Sequence, residues 1–279
     1  MAELEIRDMT AADIDAAVAL YRSGGWDERR SFLQTLLANP ACHPLVGLHA
    51  GAVAATGLAT INGPVGWVGS IFVDSSLRSR GFGRAITEAV CARIDAAGCT
   101  TQALIASEYG RPLYEKMGFR IDAWYQILES LPLDAAPTPP SGTTLRRMTL
   151  GDVDRVGRLD LLATGEDRRG LLGPLAASGW LLESGDELLG FLIQILPESA
   201  ALIAPDPAAA TCLLDLLRHL GWGRAKTVRA AVVKGNESER RRLERLGWSP
   251  TFATPRMLRG EPIPWEPTHI WSLLGFAFG

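Results

Sequence analysis

The sequence predicts an α/β protein in which one unit is used twice. Three observations carry that expectation. Ile6-Arg7-Asp8-Met9-Thr10-Ala11-Ala12-Asp13-Ile14-Asp15 lines up with Leu145-Arg146-Arg147-Met148-Thr149-Leu150-Gly151-Asp152-Val153-Asp154, and both read as a first strand, a threonine cap and a helix. Near the end of each copy, Leu243-Glu244-Arg245-Leu246-Gly247-Trp248 echoes Tyr114-Glu115-Lys116-Met117-Gly118-Phe119. Between the copies, Leu131-Pro132-Leu133-Asp134-Ala135-Ala136-Pro137-Thr138-Pro139-Pro140-Ser141-Gly142 reads as a semi-rigid linker. The expected division is 1–131, a Pro-rich linker over 132–142, and 143–279 with an apolar tail.

The first copy resolves into elements in order. Apolar and β-branched runs place strands near Leu4 to Arg7, Leu45 to His49, Val53 to Ile61, Trp67 to Val73, Gln102 to Ala106 and Phe119 to Leu128. Helices are expected near Ala11 to Arg22, Arg29 to Leu37, Gly83 to Ala97 and Pro112 to Met117. In the third, Ile86, Val90, Ile94 and Ala97 recur at helical spacing on one face, and Gly98 supplies the stop. The fourth is opened by Pro112 and closed by Gly118. A mixed sheet with helices on both faces follows.

Chemistry concentrates at Arg78-Ser79-Arg80-Gly81-Phe82-Gly83, which joins the strand ending at Val73 to the helix beginning near Arg84. A strand that breaks into a glycine turn and then a helix leaves backbone N–H groups pointing one way, a cradle suited to a phosphate or pyrophosphate. Arg78, Arg80 and Arg84 add positive charge. A Walker loop is excluded because Arg84-Ala85 stands where Lys and Ser or Thr are needed. A dinucleotide fingerprint is excluded because Ile86 replaces its third small residue. The bland reading of Gly81 and Gly83 is a tight turn. The pattern R-x-x-G-x-G after a strand resembles the acyl-CoA pyrophosphate loop of the GNAT superfamily of N-acetyltransferases, and Leu113 to Phe119 fits that superfamily's L-Y-E-K-hydrophobic-G-F at every position.

The resemblance implies two tandem acyl-CoA N-acyltransferase (GNAT-like) domains, each a mixed, mainly antiparallel sheet flanked by helices. It implies acetyl-CoA as donor, held by Ile71, Phe72, Val73, Arg78, Ser79, Arg80, Gly81, Phe82, Gly83 and Arg84. Tyr114 would be the general acid, since its counterpart lies near the CoA sulfur. A thiolate of pKa about 8.5 is a fair leaving group, so a phenol of pKa about 10 need donate only late in the reaction. A backbone N–H near Ile71 to Val73 would polarise the carbonyl. The strand glutamate that many family members use as base is replaced by Trp67-Val68-Gly69-Ser70. Asp74, in Val73-Asp74-Ser75-Ser76, reads more simply as a turn residue, and Glu108, Asp27 and Glu28 are the other carboxylates within the region. A water relay, or an amine of low pKa, would remove the need for a base. The acceptor is expected beneath Arg22-Ser23-Gly24-Gly25-Trp26-Asp27-Glu28, where Trp26 either stacks on substrate or anchors the second helix, and Asp27 and Glu28 suit a cationic amine.

The second copy has Leu243 in place of Tyr114, and Ile203-Ala204-Pro205-Asp206-Pro207-Ala208-Ala209-Ala210 in place of the glycine loop. Two prolines remove donors and Asp206 repels a pyrophosphate, so this copy is expected to be degenerate, as in a bacterial subgroup of tandem acetyltransferases. That subgroup is matched again at Ala163 to Arg168 and Arg256 to Gly260. Thr164-Gly165-Glu166-Asp167-Arg168 reads either as a helix cap, with Thr164 as N-cap and Asp167 three residues on, or as the lining of an acceptor pocket facing the first copy. The apolar tail from Trp265 to Gly279 is expected to cap the second core, to pack on the first copy, or to join a homodimer.

Composition narrows the classes. Hydrophobic residues at 47% and charged residues at 21% are those of ordinary globular proteins. A net charge of −3 provides no general field for nucleic acid. No signal-peptide core and no membrane-length apolar run are evident, so a cytoplasmic protein is expected. The four cysteines, Cys42, Cys91, Cys99 and Cys212, lack C-x-x-C spacing, and the four histidines lack ligand spacing, so neither disulfides nor a metal is expected. The resulting expectation is an acetyl-CoA-dependent N-acetyltransferase acting on a small-molecule or peptide primary amine by direct attack in a ternary complex. The rival is a non-catalytic acyl-CoA-binding sensor, and the third reading is an interaction module without CoA binding.

Overall fold

The computed structural model describes residues 4–26 and 29–279. The first copy runs β1 (Glu5–Asp8), α1 (Ile14–Ser23), α2 (Arg30–Ala38), β2 (Cys42–His49), β3 (Ala52–Asn62), β4 (Val65–Val73), α3 (Phe82–Ala96), β5 (Thr101–Ile105), α4 (Arg111–Lys116) and β6 (Arg120–Ser130). The second repeats that order as β7 (Thr144–Arg147), α5 (Val153–Thr164), α6 (Arg169–Leu172), β8 (Gly179–Ser184), β9 (Glu187–Leu196), β10 (Ser199–Ile203), α7 (Pro207–Gly221), β11 (Val228–Val233), α8 (Glu237–Arg245) and β12 (Ser249–Gly260), and adds β13 (Ile270–Ser272).

The repetition extends to single hydrogen bonds. The Thr10 N–H and hydroxyl both donate to Asp13 Oδ2 at 2.8 Å, while Arg7 forks onto the same carboxylate at 2.8 Å. In the second copy Thr149 donates to Asp152 at 2.9 and 2.8 Å, and Arg146 forks onto it at 2.9 and 2.7 Å. Each carboxylate therefore satisfies the start of a helix and pins it to the first strand. The arginine bonds hold both carboxyls well below the usual carboxylate range.

The strands form two sheets, each mainly antiparallel. One is eight-stranded, in the order β1-β2-β3-β4-β5-β12-β6-β11, and the other five-stranded, β13-β10-β9-β8-β7. The copies thus trade strands. β12 of the second copy lies between β5 and β6 of the first, and β6 pairs onward with β11. One apolar core runs between the sheets and includes Phe32 and Leu33 of α2, Val156 of α5, Leu171 of α6 and Phe278. A second lies under α3 and α4, with Ile86, Val90, Ile94, Met117 and Phe119. Cys42, Cys91 and Cys212 are buried free thiols and Cys99 is a half-buried one. Among the described residues no helix is long and apolar enough to cross a membrane.

Buried charge marks the joint between copies. Arg168 forks onto Asp160 at 2.8 and 2.6 Å, and also donates to the Gly279 carbonyl at 2.8 Å. Arg256 is paired with Asp122 of β6, and its guanidinium lies 3.5 Å from the Trp265 ring centre. The tail takes two of its expected courses at once: β13 joins the second copy's sheet, and Ala277 and Phe278 enter the core against the first copy.

The capping reading of Thr164 does not form. Thr164 ends α5 rather than opening a helix, because Gly165 turns left-handed there at φ 74°. Its hydroxyl bonds back to the Asp160 carbonyl at 2.8 Å. Glu166 instead faces the first copy, where its Oε2 accepts from Asn62 at 2.8 Å and from the Trp67 indole at 2.7 Å. Burial pushes the Glu166 carboxyl up. Replacing Glu166 by Ala strands two buried donors and is expected to cost about 2–5 kcal/mol in chemical denaturation. Glu166→Gln keeps an acceptor. Because the folded pKa lies above the unfolded value of about 4.3, this group's contribution falls as pH rises above that value. The stability of wild type relative to Glu166→Gln should therefore decline from pH 5 to pH 8.

Candidate active site

β4 and β5 begin as a parallel pair and then part. Their register covers only Val65 to Trp67 against Thr101 to Ala103. Beyond it β4 continues alone on that side, and a bulge carries Ser70 at φ 49°. Past the bulge, Asp74 N–H donates to the Ala54 carbonyl and Phe72 stands opposite Thr56. Alternation along an antiparallel ladder then turns the N–H groups of Val73 and Ile71 away from β3, toward the open side.

The turn after β4 prepares α3. Asp74 is the turn residue, accepting from the Ser76 N–H at 2.8 Å and the Ser76 hydroxyl at 2.6 Å, which lowers its carboxyl. Ser79 and Gly81 both have positive φ, 63° and 88°, and Gly81 caps α3 with no side chain of its own. A Cβ added at Gly81 would meet nothing within 4 Å, so the position faces open space. The first helical bond closes from Ala85 N–H to the Gly81 carbonyl. The N–H groups of Phe82, Gly83 and Arg84 precede it and have no intrahelical acceptor. With the positive end of a 15-residue helix, they form an anion cradle.

The predicted cofactor residues do not contribute equally. Ile71, Val73 and Gly83 border the opening, with Val73 Cγ2 3.8 Å and Leu113 Cδ2 4.0 Å from a Cβ at Gly83. The Phe82 side chain is buried against His49, 5.2 Å between ring centres, so only its backbone meets the cradle. The Phe72 ring lies on the opposite face of β4. Arg78 folds back over the strand, its Nε 3.4 Å from the Val73 carbonyl and its guanidinium 5.9 Å from the Phe72 ring. Arg84 is held by Glu88 at 2.7 Å, and Arg80 is exposed on the turn.

Tyr114 sits on α4, whose Pro112 occupies the first turn. Its ring is buried at 9% exposure and packs edge-on to Phe119 at 6.1 Å. Burial, with the Cys91 thiol beside it, pushes the phenol up to about 12. Such a phenol keeps its proton across the physiological range and can give it to a thiolate. Glu108 is exposed.

On the other face of β4, Trp26 stacks on Tyr21 at 4.9 Å and meets Phe72 edge-on at 5.5 Å, leaving 38% of itself exposed. These contacts tie Trp26 to α1 and β4 and leave its outer surface open. Gly24 has no room for a side chain, since a Cβ would fall 2.1 Å from Phe72. Asp27 and Glu28 lie outside the described residues. Tyr21, Thr56 and Ser70 went unnoticed in the sequence. Burial raises the Tyr21 phenol and the Thr56 and Ser70 hydroxyls beside it oppose the rise. Only the position of Ser70 just ahead of the loop hinted at such a group. Among the described residues no group of three or more His, Cys, Asp or Glu is placed to hold a metal.

The equivalent places in the second copy are filled. Asp206 caps α7, accepting from Ala209 N–H at 2.8 Å, and Pro207 follows in the first turn. β13 pairs with β10 and packs on β11, where Ser272 donates to the Arg229 carbonyl at 3.1 Å. Leu243 is fully buried at the place of Tyr114.

Residues 7–119 match the family model of the acetyltransferase (GNAT) family. Over that span the chain is similar to the GNAT acetyltransferases. Members of this family use acetyl-CoA as acyl donor and amines as acceptors. A putative acetyltransferase from Pyrococcus horikoshii superposes with a TM-score of 0.82 at 21% identity, over 99% of this chain and 96% of its own. A tandem GNAT protein from the clavulanic acid biosynthesis pathway superposes at 0.64 and 16% identity, over 93% and 99%. A GCN5-related N-acetyltransferase from Sphaerobacter thermophilus gives 0.59 and 16%, over 92% and 95%. These likenesses establish the tandem GNAT fold along the whole chain. No curated protein sequence matches it.

Of the four tyrosines, Tyr114 should titrate late. The ultraviolet difference titration of wild type against Tyr114→Phe is expected to show a midpoint near pH 12, and a midpoint near 10 would contradict the burial of this ring.

Proposed function

We propose that the chain is an acetyl-CoA-dependent N-acetyltransferase whose chemistry lies in residues 1–131, with 132–142 as linker and 143–279 as a degenerate copy that does not take acyl-CoA. The observation that carries this reading is the side-chain-free N-terminus of α3 at Gly81, open to solvent beside the diverging β4. The cradle N–H groups of Phe82, Gly83 and Arg84 hold the pyrophosphate, with Ser79 and Gly81 shaping the turn and Arg78, Arg80 and Arg84 supplying charge. The N–H groups of Ile71 and Val73 polarise the thioester carbonyl, and Phe72 supports the strand from behind.

A primary amine, small or peptidic, approaches beneath Trp26, with Asp27 and Glu28 favouring its cationic form in the approach. The ammonium first gives one proton to water, and the freed nitrogen lone pair then attacks the carbonyl directly in the ternary complex. The N–C bond forms, the C–S bond breaks, Tyr114 gives its proton to the departing thiolate, and the nitrogen's surplus proton passes to water, from which Tyr114 is reprotonated. In the second copy Asp206 already supplies the negative charge that α7 can accept, and β13 fills the space between β10 and β11. A cytoplasmic setting suits the four free thiols.

Calorimetry on the full chain is expected to show one acetyl-CoA bound. The full chain is needed because β12 lies inside the first copy's sheet. Gly81→Val places a branched side chain at φ 88° in the cradle and should weaken binding at least about tenfold. Tyr114→Phe should keep the affinity and lower kcat about 10²- to 10³-fold. Two sites per chain would overturn the degenerate second copy. Binding with no thiol release against any primary amine would make the chain a sensor, and no binding would overturn both readings.

A further inference from the structure

A cavity of about 440 Å³ lies at the joint between the copies, and none of its lining residues comes from β4, α3 or α4. Thr35 of α2 brings the first copy to it. The second copy supplies Arg147 of β7, the end of β9, Leu220 near the end of α7, and Arg224 beyond it. Leu175, Ile195, Leu196 and Leu220 give it an apolar wall, and no Asp or Glu among the described residues lines it. Most of its polar side chains are already engaged. The Thr35 hydroxyl donates to the Ser31 carbonyl of its own helix at 2.9 Å. The Ser178 hydroxyl donates to the Gln194 carbonyl at 2.6 Å, and the Gln194 amide to the Pro197 carbonyl at 3.3 Å. The two arginines are different. Arg147 lies 4.1 Å over the Trp180 ring centre, a stack that uses the guanidinium face and leaves its N–H edge free. Arg224 gives one of its five donors to the Leu220 carbonyl at 3.4 Å. Nearby arginines have carboxylates: Arg146 pairs with Asp152 and Glu183, and Arg229 with Glu129. Glu198, which follows Pro197, is taken by Arg29 at 3.4 Å. Among the described residues neither Arg147 nor Arg224 has a carboxylate partner.

We infer that this cavity is a second binding site, for an organic carboxylate with an apolar body. Arg147 and Arg224 take the acid head, and the leucine and isoleucine wall takes the body. The inference does not depend on the transferase reading. A planar guanidinium fork matches the two oxygens of a carboxylate, and the free N–H edges of both arginines are the donors the cavity has left. Two cations lining one cavity without a counter-charge repel each other, and an anion between them removes that repulsion while forming hydrogen bonds. The same ligand withdraws the half-buried side chains of Ile195, Leu196 and Leu220 from water. An acid head alone, or an apolar body alone, meets only one of these two features. The volume is that of an ordinary small-molecule site.

The test is calorimetry on the full chain at neutral pH and low salt, with octanoate, 1-octanol and inorganic phosphate as probes. Octanoate should bind at one site per chain, about fivefold or more tighter than either of the others. Arg147→Gln and Arg224→Gln should each weaken octanoate about fivefold and leave 1-octanol unchanged. Both arginines are exposed, so the variants should keep the thermal midpoint of wild type. Added salt should weaken octanoate in wild type and have little effect in the double variant. Saturating acetyl-CoA should leave the octanoate affinity unchanged, because no cavity residue belongs to the β4–α3 turn. Absence of octanoate binding overturns the site. So does octanoate binding that survives both substitutions. Equal affinity for 1-octanol would remove the acid head, and equal affinity for phosphate would remove the apolar body, and either overturns the ligand class. Displacement by acetyl-CoA would place octanoate in the donor cradle and overturn the second site, while leaving the transferase reading intact.

Discussion

Two strands that start as a parallel pair and then diverge leave backbone donors and acceptors facing a gap, and buried groups of that kind must find partners. The two copies meet this constraint differently: β4 and β5 pair briefly and part, whereas β10 and β11 lie in different sheets. Between β10 and β11 the chain's own β13 enters, pairing with β10 and receiving support from Arg229 through Ser272. Between β4 and β5 the register stops at Trp67 and Ala103, and the gap stays open above it. The same frame thus has one closed and one open cleft, and the difference lies in where residues 270–279 run. Their course closes the second cleft and then continues onto the outer face of the first copy's β4, so a single segment bears on both places where the frame diverges.

Trading of strands makes the halves inseparable. With β12 between β5 and β6, the far edge of the first sheet is built from second-copy backbone. Charged groups are buried along this joint, and each is compensated: Arg168 by Asp160, and Arg256 by Asp122 and the Trp265 ring. Such pairs give little net stability against apolar substitutes, yet losing one partner leaves a buried charge at a cost of about 3–5 kcal/mol.

Much of this was legible in the sequence because the decisive signals are local. The caps at Thr10 and Thr149, the helical face of Ile86, Val90 and Ile94, and the turn at Gly81 all form. α1 begins at Ile14 rather than Ala11 because the capping turn is a tighter 3-10 turn. What periodicity does not encode is the choice of partner over a hundred residues. Nothing in the alternation of β6 or β12 says that one inserts beside the other. Thr164 misled because a hydroxyl four residues after Asp160 bonds back to that carbonyl as readily as it caps a helix. Phe82, inside the glycine motif, is a core anchor, a role that motif spacing alone does not separate from ligand contact.

The helix ends close the comparison between the copies. α3 and α7 are both 15 residues long and occupy the same place in their units, so each presents about half a positive charge and a set of unpaired N–H groups. At α7, Asp206 supplies a carboxylate in cis and Pro207 removes a donor, leaving the end neutralised by the chain itself. At α3, Gly81 supplies neither, and the nearby guanidinium of Arg84 turns along the helix to Glu88. A glycine N-cap is weaker than an aspartate one by only a few tenths of a kcal/mol. A phosphate-bearing ligand seated there would supply the missing charge and acceptors, so the weaker cap of α3 is a deficit that donor binding can offset, whereas α7 has no such deficit.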